Sequence, residues 1–322
     1  MCTAISFKTR DHYFGRNLDL EYSYQESVTI MPRNYPLSYR LCEEMLTHFA
    51  IIGISTNDNG YPLYYDAINE HGLGMAGLNF PGNAHYFPTS DDKYNIAPFE
   101  LIPWVLVQCR TVAEAITLLN NTCICDIAYS DAFPITPLHW IVCDTERCVT
   151  VEQSKKGLVI YENKVGVLTN NPPFPYHLSN LEKISQLSPY EPEMPLTNPN
   201  DDLYSRGMGA VGLPGDLSSS SRFLRAVFVK EHSICEDDET SSVTQFFHIL
   251  GSVEQQQGCV RLKNGLEKTV YTSCCNTTQG IYYYTTYKNS QITAVHMHNV
   301  DLSAKSLTEF PLRRETEFFC EN

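Results

Sequence analysis

The second residue of this sequence carries two groups that could act together in catalysis. The chain begins Met1-Cys2-Thr3-Ala4, and the small cysteine side chain allows removal of the initiator methionine. Removal would leave Cys2 with a thiol and a free α-amino group, which are a nucleophile and a base on one residue. The ordinary pKa of the amine is about 7.7–8.0 and that of the thiol about 8.5, so the amine can accept the thiol proton near neutral pH. The alternative is a cysteine that stands second in the chain without any catalytic role.

The residues that follow predict a hairpin that brings a carboxylate to this amine. Apolar and polar residues alternate over 3–7, as in a half-buried strand, and a polar turn at Arg10-Asp11 leads into a second strand. With the hairpin centred there, Cys2 faces Asp19 at about 4.5–5.5 Å. Arg16 lies one step further along and could hold the thiolate or a substrate anion. A shift of one residue would send these groups to the opposite face, and the alternative is a surface hairpin with scattered charges.

Composition favours one acidic domain without a membrane segment. The 322 residues are 43% hydrophobic, and no linker, repeat or low-complexity tract divides them, so a single domain over residues 1–322 is expected. The net charge of −14 argues against nucleic acid and anionic membrane surfaces as partners. No apolar run approaches the length of a membrane span, and the first residues lack the regions of a signal peptide. We therefore expect a cytoplasmic protein.

Cysteines and histidines do not form a recognisable metal site. The 12 cysteines show none of the paired spacing of zinc ligands, and we expect reduced thiols that pack as small apolar residues. His71, His85 and His139 are scattered, and His139 lies in an apolar strand that indicates a core position. The sequence also lacks a Walker loop, a GxSxG elbow and a GxGxxG dinucleotide loop. We expect no metal, no cofactor and no structural disulfide.

Strands and helices fall into separate blocks along the chain. Turn residues separate the later apolar runs, which predicts a meander of antiparallel strands. Helical patterns flank a polar join at Cys109-Arg110, follow the serines at 218–221 and cover 245–253. Segregated blocks favour an α+β fold of antiparallel sheets covered by helices. The predicted strands are Ile51–Ser55, Leu73–Asn79, His139–Cys143, Cys148–Glu152, Leu158–Tyr161, Val165–Thr169, Ile281–Tyr287 and Gln291–Met297.

Two asparagines stand at predicted strand ends, Asn79 within 77–81 and Asn170 within 168–173. Asparagine close to proline commonly serves as a turn residue. The functional alternative makes the carboxamides and nearby backbone N–H groups the donors of an oxyanion hole, where one donor contributes about 2.7–4 kcal/mol. The sequence leaves both interpretations open, because it does not place these segments beside Cys2.

Five motifs occur in order over nearly the whole chain. They are Met1-Cys2-Thr3, Phe14-Gly15-Arg16-Asn17-Leu18-Asp19, Gly77-Leu78-Asn79-Phe80-Pro81, Leu168-Thr169-Asn170-Asn171-Pro172, and Leu213-Pro214-Gly215-Asp216 with Ser221-Arg222-Phe223. Together they resemble the choloylglycine hydrolase family, which comprises bacterial bile salt hydrolases and penicillin V acylases. The resemblance implies a four-layer αββα N-terminal nucleophile fold, with two stacked antiparallel sheets between helical layers, and a homotetramer.

The resemblance also implies roles for the matched residues of the site. Cys2 matches the nucleophile, with its α-amine as the base once Met1 is removed. Arg16 matches the residue that contacts the thiol, and Asp19 matches the carboxylate that orients the amine. Asn79 and Asn170 match the oxyanion-hole positions. The hairpin argument reaches Cys2, Arg16 and Asp19 independently, whereas the asparagines rest on the resemblance.

Further matched positions concern the surroundings of the nucleophile. The resemblance implies electrostatic support from Arg222 and a substrate pocket lined by Leu18, Tyr129 and Phe133. Ordinary apolar packing is the alternative for these three pocket residues. The segment Tyr204-Ser205-Arg206-Gly207 matches a loop where Ser-Arg-Gly accompanies a preference for taurine conjugates, and a solvated arginine is the alternative there.

The implied function is hydrolysis of glycine- or taurine-conjugated bile salts through a Cys2 thioester. Asn79 favours this branch, since penicillin V acylases tend to carry tyrosine at the matching position. A penicillin V acylase with the same catalytic set is the second possibility. A catalytically idle relative that only binds bile acids is the third.

Overall fold

The strands of the protein form two large antiparallel sheets and one short parallel pair. A computed structural model of the chain describes residues 1–192, 206–263 and 265–322. In these residues the strands are β1 (Cys2–Lys8), β2 (His12–Leu20), β3 (Ser27–Met31), β4 (Ile51–Asp58), β5 (Tyr61–Asn69), β6 (Gly74–Asn79), β7 (Tyr94–Ile96), β8 (Thr122–Ile124), β9 (Leu138–Cys143), β10 (Cys148–Ser154), β11 (Gly157–Glu162), β12 (Val167–Leu168), β13 (Val260–Leu262), β14 (Gly265–Asn276), β15 (Ile281–Thr286), β16 (Asn289–His296) and β17 (Thr308–Pro311).

Helices are fewer, and side-chain caps fix where three of them begin. Thr111, Ser218 and Asp238 cap the helices that begin one residue later. In each case the side-chain oxygen accepts a hydrogen bond from the backbone N–H three residues further along the chain. None of the helices in the described part of the chain combines the length and apolar character that crossing a membrane requires. The α-helices there are α1 (Leu101–Leu106), α2 (Val112–Asn120), α3 (Phe174–Asn180), α4 (Ser219–His232) and α5 (Glu239–Gly251).

The two sheets lie face to face between helices. The first has the strand order β12-β1-β2-β14-β15-β16, with β13 also paired to β14, and the second has the order β11-β10-β9-β6-β5-β4-β3-β17. Helices α4 and α5 contact β1, β2 and β14 of the first sheet, and α1 contacts β5 and β6 of the second. The layers therefore follow the αββα order that the resemblance implied.

The second sheet is buried on both faces, which explains its nearly continuous apolar strands. Along β9, Ile141 and Cys143 join the core that includes the first sheet, whereas Trp140 and Val142 join the core beneath α1 and α2. Successive side chains of a strand point to opposite faces, so one apolar run supplies two cores.

Most predicted elements are confirmed, with shifted ends. The strand predicted over Val165–Thr169 is reduced to β12, and it leaves the meander to pair with β1 in the other sheet. The helix predicted over 245–253 begins six residues earlier, because Asp238 caps it. The last hairpin turns at Tyr287-Lys288, so β16 starts two residues before the predicted strand. The longest strand, β14, was not predicted.

The predicted pairing of Cys2 with Asp19 is wrong by one residue. The pairing starts with Lys8 opposite His12, which leaves a three-residue turn, and it places Cys2 opposite Leu18. The predicted pairing would need a turn that is one residue longer than the observed one. The observed pairing puts the side chains of Arg16 and Leu18 on the Cys2 face of the sheet, and it puts Asp19 on the opposite face.

We expect Gly15→Ala to prevent this part of the sheet from forming. A Cβ atom at position 15 would overlap the backbone carbonyl of Ser273 on β14, and backbone atoms of a central strand cannot move aside easily. The loss of stability should reach about 3 kcal/mol or more, measured by urea unfolding. Gly251→Ala is the control, because a Cβ there meets no atom within 4 Å. Equal stability of the two variants would contradict the close contact.

Candidate active site

Cys2 begins β1 and lines a cavity between the two sheets. The residue is 2% exposed, and the cavity has a volume of about 270 Å³. Arg16 and Asn79 line the same cavity as polar groups. Most of the remaining wall is apolar or aromatic, with Leu18, Leu20, Phe99, Ile127, Tyr129 and Phe133 among its members. A buried thiol thus faces a space suited to a largely apolar ligand.

Arg16 places a buried positive charge beside this thiol. Its Nη1 atom donates hydrogen bonds to the carbonyl oxygens of Gly77 at 2.5 Å and Tyr65 at 3.1 Å. Its Nη2 atom has no hydrogen-bond partner among the described residues. Because Arg16 lines the cavity, the guanidinium keeps a donor for a thiolate or for a bound ligand.

Asp66 on β5 supplies a buried negative charge near Arg16. Its carboxylate accepts hydrogen bonds from the hydroxyls of Tyr271 at 2.5 Å, Tyr282 at 2.5 Å and Ser273 at 3.0 Å. Burial raises the pKa of Asp66, whereas Arg16 and these donors favour the carboxylate. Burial lowers the pKa of Arg16, but nearby negative groups that include Asp66 outweigh it, so its pKa is raised. Arg16 therefore stays charged.

Arg222 on α4 approaches Cys2 from the helical layer. Its Nη1 atom donates to the Cys2 carbonyl at 2.5 Å and to Thr3 Oγ1 at 2.6 Å, and its Nη2 atom donates to Asn170 Oδ1 at 2.7 Å. Burial lowers the pKa of Arg222, and the carboxylate of Asp19 acts against this effect. Arg222 thus holds the backbone around the nucleophile and adds positive charge there.

Asn170 and Asn79 meet each other beside Cys2. The Cys2 backbone N–H donates to Asn170 Oδ1 at 2.8 Å, and Asn170 Nδ2 donates to the Asn79 carbonyl at 2.8 Å. The backbone of Asn170 is fixed in turn by Ser219 Oγ at 2.8 Å and by His177 Nε2 at 2.9 Å. These contacts bring together the two segments that the sequence could not place.

Asp19 contacts the N-terminal residue on the face opposite to the thiol. The Met1 ammonium donates to the Asp19 carbonyl at 2.7 Å, and the Asp19 N–H donates to the Met1 carbonyl at 2.9 Å. The carboxylate accepts a hydrogen bond from Thr269 Oγ1 at 2.7 Å. Burial raises the pKa of Asp19, while Arg222 and the α-amine oppose the rise. Asp19 is therefore close to the N-terminus, although it pairs with Met1 and not with Cys2.

The segment between β8 and β9 forms one wall of the cavity. Tyr129 is held there by its hydroxyl, which donates to the Asp58 carbonyl at 2.9 Å. Arg40 donates to the Tyr129 carbonyl at 2.7 Å and lies 5.3 Å from the centre of its ring. Phe133 packs against Tyr129 with ring centres 6.0 Å apart. Contacts outside the cavity therefore fix this wall.

The sequence as a whole matches a known family. A model of the linear amide C–N hydrolases of the choloylglycine hydrolase family matches residues 2–310. The chain belongs to this family. Among its relatives, the bile salt hydrolase/transferase of Lactiplantibacillus plantarum is 50% identical in an alignment of 324 residues that covers 100% of both chains. The bile salt hydrolase/transferase of Clostridium perfringens is 38% identical over 317 residues, which are 96% of both chains.

Solved structures confirm the predicted N-terminal nucleophile fold. A variant of the conjugated bile acid hydrolase of Clostridium perfringens superposes with a TM-score of 0.91 at 35% identity over 100% of both chains. The penicillin V acylase of Agrobacterium tumefaciens has a TM-score of 0.76 at 19% identity, over 97% of this chain and 92% of its own. The similarity to the penicillin V acylase shows only that the two proteins share a fold.

The structure brings together the predicted site residues. Cys2, Arg16, Leu18, Asn79, Tyr129 and Phe133 line the cavity. Asn170 and Arg222 contact the backbone of Cys2, and Asp19 contacts Met1. In the predicted taurine-preferring loop, Tyr204 and Ser205 lie outside the described residues. No group of three or more His, Cys, Asp or Glu side chains suited to a metal occurs in the described ranges. Asp66, Arg40 and Glu267 were not predicted, because no local motif marks them.

We expect Asp66→Ala to destabilise the protein by about 3–5 kcal/mol, because it leaves three buried hydroxyls without their acceptor and removes a carboxyl group that favours the charged form of Arg16. Tyr282→Phe is the matched control, since it removes only one of the three hydroxyl donors to Asp66 and should cost about 1 kcal/mol. Urea unfolding of both variants measures the difference. Similar losses would show that the negative charge of Asp66 does not compensate Arg16.

Proposed function

We propose that the protein hydrolyses the amide bond of glycine- or taurine-conjugated bile salts and releases the free bile acid and the amino acid. One observation carries the proposal: the buried residues Cys2 and Arg16 line the same, mainly apolar cavity. A steroid nucleus is large and apolar, and such a wall can bury it. Full-length similarity to relatives named bile salt hydrolase supports the same substrate class.

In the first step, the α-amine of Cys2 accepts the thiol proton after Met1 has been removed. The thiolate attacks the carbonyl carbon of the substrate amide, and the carbonyl oxygen becomes an oxyanion. Asn79 and Asn170 stabilise this oxyanion by donating hydrogen bonds. The α-ammonium gives its proton to the departing nitrogen, the C–N bond breaks, and a thioester on Cys2 remains.

In the second step, water resolves the thioester. The α-amine takes a proton from water as the oxygen attacks the carbonyl carbon, and the same asparagines stabilise the second oxyanion. Collapse of this intermediate breaks the C–S bond and releases the bile acid, and the thiolate recovers the proton. Positive charge from Arg16 and Arg222 favours the thiolate in both steps.

Acyl transfer to an amine is a second activity of the same intermediate. The relatives from Lactiplantibacillus plantarum and Clostridium perfringens are both named bile salt hydrolase/transferase. An amine that reaches the thioester in place of water would form a new amide by the same chemistry. We therefore expect a conjugated product when hydrolysis is run with a high concentration of a free amino acid.

Penicillin V hydrolysis is the alternative for the same catalytic set. The penicillin V acylase likeness extends to the fold at 19% identity, whereas the bile acid hydrolase likeness holds at 35% identity over 100% of both chains. A binding protein without catalysis is a weaker alternative, because it does not need the contacts that surround the Cys2 amine. We also propose one domain over 1–322, a homotetramer, and a bacterial cytoplasmic location.

A competition assay tests the substrate class. The protein is incubated with glycocholate, taurocholate and penicillin V together at equal concentration, and each product is followed by mass spectrometry. We expect cholate to appear well before phenoxyacetate, and the released glycine and taurine rank the two conjugates. Faster release of phenoxyacetate would assign the protein to the acylase branch. The intact mass of the protein shows whether Met1 has been removed, so an inactive sample can be traced to incomplete processing.

We expect Cys2→Ala to abolish turnover while the circular dichroism spectrum and binding of taurocholate, measured by calorimetry, persist. The alanine lacks the nucleophile but leaves the cavity wall unchanged. Turnover of the Cys2→Ala variant at the wild-type rate would exclude a Cys2 thioester. A wild-type protein that binds taurocholate without forming product would support the idle binding protein.

We expect Asp19→Asn to lower kcat/KM by about 100-fold or more, because the amine loses the charge that orients it as acid and base. The variant should still fold but with reduced stability, since the amide can accept the hydrogen bond from Thr269 but removes a negative charge that opposes the burial of Arg222. Steady-state kinetics with taurocholate gives the change. Wild-type turnover in this variant would refute the role given to Asp19.

A further inference from the structure

A second buried carboxylate faces the N-terminus from β14. Glu267 is 3% exposed, and its Oε1 atom accepts a charged hydrogen bond from the Met1 ammonium. The same ammonium donates to the Asp19 carbonyl at 2.7 Å. The position next to Cys2 is therefore built to receive an amine that carries a positive charge.

Two buried acceptor atoms in the same region have no hydrogen-bond partner among the described residues. They are Asp19 Oδ2 and Gln255 Oε1. The two residues share a contact, because Thr269 Oγ1 donates to Asp19 Oδ1 at 2.7 Å and accepts from the Gln255 N–H at 2.8 Å. Buried acceptors without donors are unfavourable. A charged amine or a bound water molecule in this region would satisfy them.

We propose that Glu267 is a positioning residue for the catalytic α-amine of Cys2, which it holds directly or through one water molecule after Met1 has left. Removal of Met1 moves the positive N-terminus by one residue and leaves Glu267 without the ammonium that it binds now. The Cys2 amine, one residue further along the chain, then carries the N-terminal positive charge that can replace it. This inference rests on the proposed function, because it assigns a role within the same reaction.

Glu267 acts within a defined set of charged groups. Arg16 and Asp19 come from β2, Cys2 from β1, Arg222 from α4, and Glu254 from the residues after α5. Both arginines lower the proton affinity of the amine, and the three carboxylates raise it. Burial raises the pKa of Glu267, and the N-terminal ammonium is the first group that opposes this rise. Of the side-chain carboxylates, Glu267 alone makes a hydrogen bond to the terminal ammonium in the described structure.

The negative charge of Glu267 determines the direction in which the pH profile of the reaction should move. A nearby carboxylate favours the ammonium form, which must protonate the departing nitrogen in the first step. Loss of the charge in Glu267→Gln should therefore lower the pKa of the amine by about one unit. The alkaline limb of the pH profile of kcat/KM with taurocholate should move to lower pH by the same amount.

The experiment compares three variants with the wild type after intact masses have shown removal of Met1. Glu267→Gln removes the charge, and Glu267→Asp keeps it on a side chain shorter by one methylene, so its shift should be intermediate. Glu254→Gln is the matched control. It removes a carboxylate near Asp19 that accepts a hydrogen bond from Thr272 at 3.3 Å but does not contact the ammonium, so the alkaline limb should move clearly less than in Glu267→Gln.

A direct titration of the amine completes the test. The protein is produced with ¹⁵N-labelled cysteine, and the ¹⁵N NMR shift of the Cys2 α-amine against pH reports its pKa in the wild type and in each variant. An unchanged amine pKa and an unchanged alkaline limb in both Glu267 variants would overturn the inference while an active wild type leaves the proposed function intact. If Glu267→Gln does not fold, Glu267→Asp decides by the same two measurements. A wild type without hydrolase activity would reject the proposed function instead, and the amine titration would still test the contact.

Discussion

Two buried guanidinium groups next to one thiol are the constraint on which the rest of the structure depends. Arg16 and Arg222 are both 0% exposed, and a charge removed from water needs compensation by opposite charge and hydrogen bonds. Arg16 has Asp66 on the second sheet, and Arg222 has Asp19 on the first. The two compensating carboxylates thus tie the sheets and the helical layer to the same point.

This requirement explains features of the fold that otherwise look unrelated. Tyr271, Ser273 and Tyr282 direct hydroxyls from β14 and β15 of the first sheet to Asp66 on the second. Gly15 allows β14 to approach β2 closely. The Ser273 hydroxyl can then accept a hydrogen bond from the backbone N–H of Arg16 at 3.1 Å. The packing of the sheets and the charge on the catalytic face are therefore parts of one network.

The sequence was sufficient for the parts of the site that follow from local pattern. The cysteine at position 2, the hairpin and the helix that follows the serines at 218–221 are each readable from a few adjacent residues. Family resemblance supplied Asn79, Asn170 and Arg222, which no local rule brings near Cys2. The pairing of Cys2 could not be fixed, because turns that differ by one residue fit the same alternation and yet exchange the two faces of a strand.

Asp66 and Glu267 could not be predicted for a different physical reason. Each lies in a strand whose pattern does not reveal a buried carboxylate, and each meets its partner across a long separation along the chain. Asp66 interacts with residues of β2, β14 and β15, and Glu267 meets the N-terminus from β14. A carboxylate in a sequence is expected to be exposed unless it is paired, and the partner becomes visible only once the sheets are assembled.

The geometry at the N-terminus also explains how a trimmed chain can be active without rearrangement. Asn170 Oδ1 already accepts a hydrogen bond from the Cys2 N–H at 2.8 Å, and Arg222 already holds the Cys2 carbonyl at 2.5 Å. Neither contact involves Met1. Removal of Met1 therefore converts a peptide nitrogen into an amine that is fixed in place before it becomes a base. Such preorganisation favours catalysis, because the orientation of the base is set during folding and not during each turnover. The cavity wall is fixed separately from this frame, since Arg40 and Asp58 hold Tyr129 on a loop. Changes in that loop can therefore alter the shape of the cavity without moving Cys2.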